Sequence, residues 1–134
     1  MMTWRTFFFS LLAVVAIGAA SFWHLASLES YDANDFEDLE ILKTRAAEGL
    51  HVFVVAEGST GFDVPEDQWP PEFADLNPVG VRVTKEGLWI RLDKFFVTES
   101  GIFFPRHKID PAMFRGDPAL YFIEQGVFGY HIRG

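Results

Sequence analysis

Beyond residue 28, three histidines, two carboxylates set among apolar residues, two tryptophans and an arginine are the residues whose types can carry chemistry or recognition. His51, His107 and His131 are candidate metal ligands, since neutral imidazole is a common zinc ligand. They stand far apart and lack the close spacing of zinc motifs, which favours structural or surface roles for all three. Asp93 and Glu124 interrupt otherwise apolar strand patterns. A carboxyl on such a face can titrate high and act as a general acid; the plainer reading pairs it with Arg91, Arg106 or Arg133. Gly58-Ser59-Thr60-Gly61 falls short of the G-x-S-x-G nucleophile elbow, because Glu57 stands where the first glycine belongs. The chain has no cysteine, so thiol catalysis is excluded. No cofactor motif is present.

For recognition, the candidates are Trp69, Trp89 and Arg91. Tryptophan and arginine dominate interface hot spots. Trp69 lies among Pro65, Pro70, Pro71 and Pro78, where prolines stiffen the chain, and it serves either as a contact or as a plug closing the core. Trp89 and Arg91 project from the strand face opposite Leu88 and Ile90, which is either a second core face or an exposed patch.

The elements that must position these residues follow from periodicity. Phe36, Leu39, Leu42, Ala46 and Leu50 recur at three- and four-residue steps, predicting an amphipathic helix over Phe36 to Glu48. Asn34 or Asp35 caps it and Gly49 stops it. His51 to Ala56 reads as a central strand buried on both faces. One helical turn is expected over Pro71 to Leu76. Val79-Val81-Val83 and Leu88-Ile90-Leu92 alternate as half-buried strands, with a bulge near Asp93-Lys94 where the apolar parity flips. Glu99-Ser100-Gly101 is expected to turn the chain into a strand over Ile102 to Arg106. A loop bearing Asp110-Pro111 and Asp117-Pro118 follows, then strands over Leu120 to Glu124 and Val127 to Ile132, joined at Gln125-Gly126. The expectation is an α+β fold, one helix on a mainly antiparallel sheet of about six strands.

Ahead of this body lies a different kind of segment. Thr6 to Leu28 is twenty-three residues without Asp, Glu, Lys or Arg, and roughly 20 apolar helical residues span a bilayer. Trp4 and Trp23 mark its ends, and Arg5 precedes it, with no further base until Lys43. The positive-inside rule then places the carboxyl-terminal bulk outside the cytoplasm. A cleaved signal cut after Ala20 is the competing reading, but the apolar run continues through Phe22, Trp23 and Leu25. The organisation expected is residues 1–28 as anchor or signal and 29–134 as an extracytoplasmic domain. An exported domain without cysteine points to a bacterial periplasm.

Charge narrows the partners. From Glu29 to Asp75 thirteen acidic residues face only Lys43 and Arg45, against eight basic and six acidic residues from Leu76 onward. Nucleic acid is a poor partner for such a chain; a cationic protein is a better one, and simple solubility is the bland alternative. The function expected is a membrane-anchored, non-enzymatic interaction module, an envelope-complex subunit or a toxin-protective protein. The lipid bilayer is its partner through residues 6–28, and a protein is its partner outside. A small hydrolase using Asp93 or Glu124 with a histidine, or a small-ligand-binding domain, are the alternatives.

Overall fold

Asp38 starts the main helix. Its carboxylate accepts the Ile41 N–H at 3.2 Å, capping α1 (Leu39–Val52). A preceding 3-10 turn, Ala33–Asp35, carries its own capping box on Asp32. The structure is a computed structural model describing residues 30–110 and 118–133. The expected anchor at 1–28, and most of the loop between the two Asp-Pro pairs, lie outside the described residues. Among the described residues, no helix is long and apolar enough to cross a membrane.

Six strands follow: β1 (Phe62–Asp63), β2 (Gly80–Val83), β3 (Gly87–Phe95), β4 (Thr98–Pro105), β5 (Ala119–Glu124) and β6 (Val127–Ile132). A one-turn helix, α2 (Pro71–Ala74), opens on its proline. The strands form one antiparallel sheet in the order β1-β2-β3-β4-β6-β5. The α+β expectation of one helix on a six-strand antiparallel sheet is what the structure shows.

One face of the sheet carries the main core. Val81, Val83, Leu88, Ile90, Ile102, Phe104 and Val127 pack with Phe36, Leu39, Leu42 and Ala46, the helical stripe read from periodicity. Fully burying an aliphatic side chain of this kind contributes about 1.5–3 kcal/mol. Ion pairs then fix the helix around its rim: Lys43 reaches Glu124 of β5 at 3.3 Å, and Arg45 reaches Glu72 of α2 at 3.1 Å. Arg106 donates to the Leu50 carbonyl at 2.9 Å and the Thr84 carbonyl at 3.3 Å. It thereby satisfies an orphan acceptor at the helix end and ties it to the β2–β3 turn.

Three expectations need correction. First, the helix does not stop at Gly49; it runs on to Val52, and the strand expected over His51 to Ala56 does not form. Val52 and Val54 are 70% and 77% exposed. Gly49 is an internal spacer here, since a β-carbon on it would press the Leu88 side chain at 3.3 Å. Second, the helix starts later than Phe36, because Asp32 and Asp38 are the caps and Phe36 packs from the connection between them. Third, the chain does not turn at Glu99-Ser100-Gly101. The turn is Phe96-Val97, and the glycine lies inside β4, where a β-carbon would run into the Ile90 carbonyl oxygen. The expected bulge is present one position earlier than read, as a register shift between Arg91 and Asp93.

Candidate functional site

The alternation of β3 sends Leu88 and Ile90 to the helix and Trp89 and Arg91 to the other side. Register extends that second face across the sheet. One cross-strand row is Arg82, Trp89, Phe103, Phe128 and Phe122; the next is Gly80, Arg91, Gly101, Tyr130 and Leu120. Phe103, Phe128 and Tyr130 are buried there, with Trp89, Ile109, Leu120 and Ile132 packed against them. The question left by the sequence is therefore answered in mixed terms: this face holds a small second core with a polar margin.

Trp89 stacks on Phe103 with ring centres 3.9 Å apart and meets Tyr130 edge-on at 5.0 Å. Its indole N–H donates to the Thr84 hydroxyl at 2.8 Å. Gly101 borders this cluster: besides meeting the Ile90 carbonyl, a β-carbon there would lie 3.0 Å from the Tyr130 ring. The result is a half-buried indole held on three sides.

The polar margin is a continuous chain of contacts. Tyr130 donates its phenolic proton to Glu99 Oε2 at 3.1 Å. Glu99 Oε1 pairs with Arg91 Nε at 3.2 Å, and Arg91 Nη2 reaches Asp63 Oδ1 at 3.3 Å. Arg82 Nη1 meets the same Asp63 oxygen at 3.4 Å. Burial, and then the neighbouring Glu99 carboxylate, push the Tyr130 phenol far above its ordinary value. It stays protonated and donates at every physiological pH. Two arginines against two carboxylates make this margin locally neutral.

Trp69 sits elsewhere. Its indole donates to the Val64 carbonyl at 2.9 Å and the ring packs against the main core, closing the end of the sheet beneath the proline strap. The structure does not bring it to Trp89 and Arg91.

The remaining candidates are also dispersed. His131 pairs with Ser100, near the start of β4, whereas His107 lies beyond the end of that strand at Pro105, and His51 is in the last turn of α1. Among the described residues no group of three His, Cys, Asp or Glu side chains can hold a metal ion. His131 stacks on Tyr121 and its Nδ1 is buried without a hydrogen-bond partner; burial, with Arg133 adding to it, holds its pKa down. Asp93 pairs with Ser100 at the level of His131, while Glu124 pairs with Val127, four residues back along β6, and is engaged by Lys43. The sheet therefore does not assemble these two carboxylates into one site.

The acidic half of the sequence concentrates on the helix side. Glu37, Asp38, Glu72 and Asp75 line a cleft of about 370 Å³ with Ile41, Leu42 and Leu76. The Glu72 carboxyl is held below its ordinary value by its own backbone N–H and by Arg45, so it is ionised there. A separate and more apolar cavity of about 540 Å³ lies at the far end of β4, between Pro105–Ile109 and Phe122, Gln125, Gly126 and Phe128.

Sequence reasoning missed Asp63, Glu99, Phe103 and Tyr130. The available signal was the period of β4: read as one strand, residues 98–105 place Glu99 and Phe103 on Trp89's face. No known protein family, curated protein or solved structure matches this chain.

Proposed function

We propose that this protein is a membrane-anchored, non-enzymatic interaction module, held by residues 6–28 in a bacterial inner membrane. Its body is displayed on the outer side and receives a protein partner at the helix-free sheet face. The anchor rests on the length and apolarity of Thr6–Leu28, and the orientation on Arg5. The observation that carries the partner site is the packing of Trp89 on Phe103 beside an arginine pinned by two carboxylates. Both side chains are already ordered in the free protein, so binding loses little of their rotamer freedom. Trp69, engaged by the core and by Val64, is left out of the contact. A cationic partner is favoured by the acidic cleft on the helix side, which such a partner reaches by wrapping the sheet edge. Roles in an envelope complex or in protection against a toxin both use such a module.

Crosslinking in native membranes tests this reading. A discrete protein adduct is expected with the native chain and is lost in Trp89→Ala and in Arg91→Glu, each shown to be folded by circular dichroism. Adducts that persist in both folded variants overturn the assigned face. The display is tested separately: the chain has no cysteine, so Lys85→Cys creates a single thiol. An impermeant maleimide should label it in intact spheroplasts; labelling only after lysis overturns the orientation.

A further inference from the structure

We propose that the tip of the β3–β4 hairpin, Phe96 and Val97 backed by Phe95, is a second membrane contact that dips into the interface of the bilayer holding residues 6–28. This rests on the anchor reading above and adds a surface to it.

The tip breaks the rules of its own turn. Phe95 and Thr98 are the last paired residues, so Phe96 and Val97 form a two-residue loop. Such loops favour Gly, Asn or Asp, because their backbone requires positive φ. Phe96 has φ +52, a costly conformation for a bulky side chain. Phe96 and Val97 are also 81% and 67% exposed. Scattered apolar residues on a surface need no explanation; two adjacent ones at a turn that disfavours them do. The turn is well braced, with the Thr98 hydroxyl donating to the Phe95 carbonyl at 2.7 Å and the Phe95 and Phe96 rings meeting edge-on at 4.5 Å. Neither core packing nor solubility accounts for this choice of residues.

Position supplies the occupant. The Ser30 hydroxyl lies 3.4 Å from His131 Nε2, and the Tyr31 hydroxyl 3.4 Å from the Ser100 hydroxyl. Ser100 and His131 are cross-strand partners, and Ser100 is two residues from Thr98, where the tip begins. The chain therefore joins the sheet at its tip end, two residues after the apolar run closes at Leu28. Two strand residues cover roughly 7 Å, and the headgroup zone is about 5–7 Å deep on each side. The hairpin is thus long enough to reach the interface on which the domain stands. Phenylalanine buries its ring at the boundary of headgroups and acyl chains. The exposed Lys94 beside the tip can extend its ammonium to lipid phosphates. Val52 and Val54 are equally exposed but follow Leu50, whose carbonyl binds Arg106 at the opposite end of the sheet.

The test uses the full chain reconstituted in vesicles of zwitterionic phospholipid. A single thiol from Val97→Cys carries an environment-sensitive fluorophore, and Lys85→Cys is the control at the other end of the sheet. Position 97 is expected to emit at shorter wavelength and to be quenched severalfold more than position 85 by brominated lipid. High salt leaves that quenching in place, because apolar contact drives it, and adding Phe96→Asp removes it. Equal quenching at both positions, in protein that resists carbonate extraction, overturns the tip contact and leaves the anchor standing. Strong quenching at 97 in protein that carbonate releases upholds the tip contact and overturns the anchor. A fluorophore at 97 shielded from water yet untouched by brominated lipid means that protein covers the tip, and overturns the proposal.

Discussion

Glu99 holds Arg91 in place on the helix-free face, and Glu99→Gln removes the charge while keeping the shape and an acceptor for Tyr130. At 3.2 Å between Nε and Oε1 the charge centres are about 4 Å apart, a gross attraction of about 4 kcal/mol at an effective dielectric of 20. The side chains are 22% and 16% exposed, so the pair lies between two measured regimes. Breaking a fully buried pair costs about 3–5 kcal/mol, and an exposed pair is worth about 0–1 kcal/mol. Arg91 keeps Asp63 as a second partner, which lowers the cost. The expected loss is about 2 kcal/mol, midway between those limits. For a body of this size that lowers the melting temperature by about 8 °C. The assay is thermal and urea unfolding of the full chain in mild non-ionic detergent, followed by tryptophan fluorescence. A double-mutant cycle with Arg91→Met should return a coupling of at least about 1.5 kcal/mol that 0.5 M salt reduces only slightly, partly buried pairs being weakly screened. A coupling under about 0.5 kcal/mol, within the usual additivity error, would refute the claim that Glu99 immobilises Arg91.

Three further outcomes follow from single positions. Gly101→Ala should destabilise the sheet by at least about 2 kcal/mol, as overpacking against backbone does, because its β-carbon meets the Ile90 carbonyl; urea midpoints unchanged from the native chain would contradict this. His131 is held below its ordinary value near 6.5, so the unfolded chain binds the proton more readily. Its contribution is complete above about pH 6.5 and is lost as pH falls through the lower folded value; melting curves between pH 7.5 and 5 should flatten in His131→Gln. Phe96→Gly should raise stability by about 1 kcal/mol by relieving the left-handed backbone, while abolishing lipid quenching at position 97; a lower melting temperature would show that Phe96 is not strained.

Where periodicity and burial agree, the fold was legible. The stripe from Phe36 to Ala46 packs on the main core, Leu88 and Ile90 alternate against Trp89 and Arg91, and Gln125-Gly126 marks the β5–β6 hairpin, so period and turn residues gave these elements directly. The misreadings fall on glycines and on aromatic turns. Gly49 and Gly101 read as breaks, yet both provide room for close packing inside an element. Phe96-Val97 reads as strand because these are strand-forming residues, and no local rule reveals that they occupy a turn. The run Val52 to Val55 is apolar enough for a buried strand, but α1 consumes its start and two of its valines face water. At the site, Trp89 and Arg91 were visible as side chains on one face. Their partners Asp63 and Tyr130 come from β1 and β6, and such pairings depend on strand order, which hydrophobic patterning does not encode.

Ser30 and the last residues of β6 stand side by side, since Ser30 reaches His131. Both ends of the folded body therefore leave from a single rim, and the β2–β3 and β5–β6 turns occupy the rim opposite. A reporter joined directly behind β6 would be tethered beside Ser30, crowding whatever surface lies there. Insertions at Lys85-Glu86 or Gln125-Gly126 would instead stand clear of it, making those turns the sites of choice for tags meant to leave the molecule's attachments undisturbed.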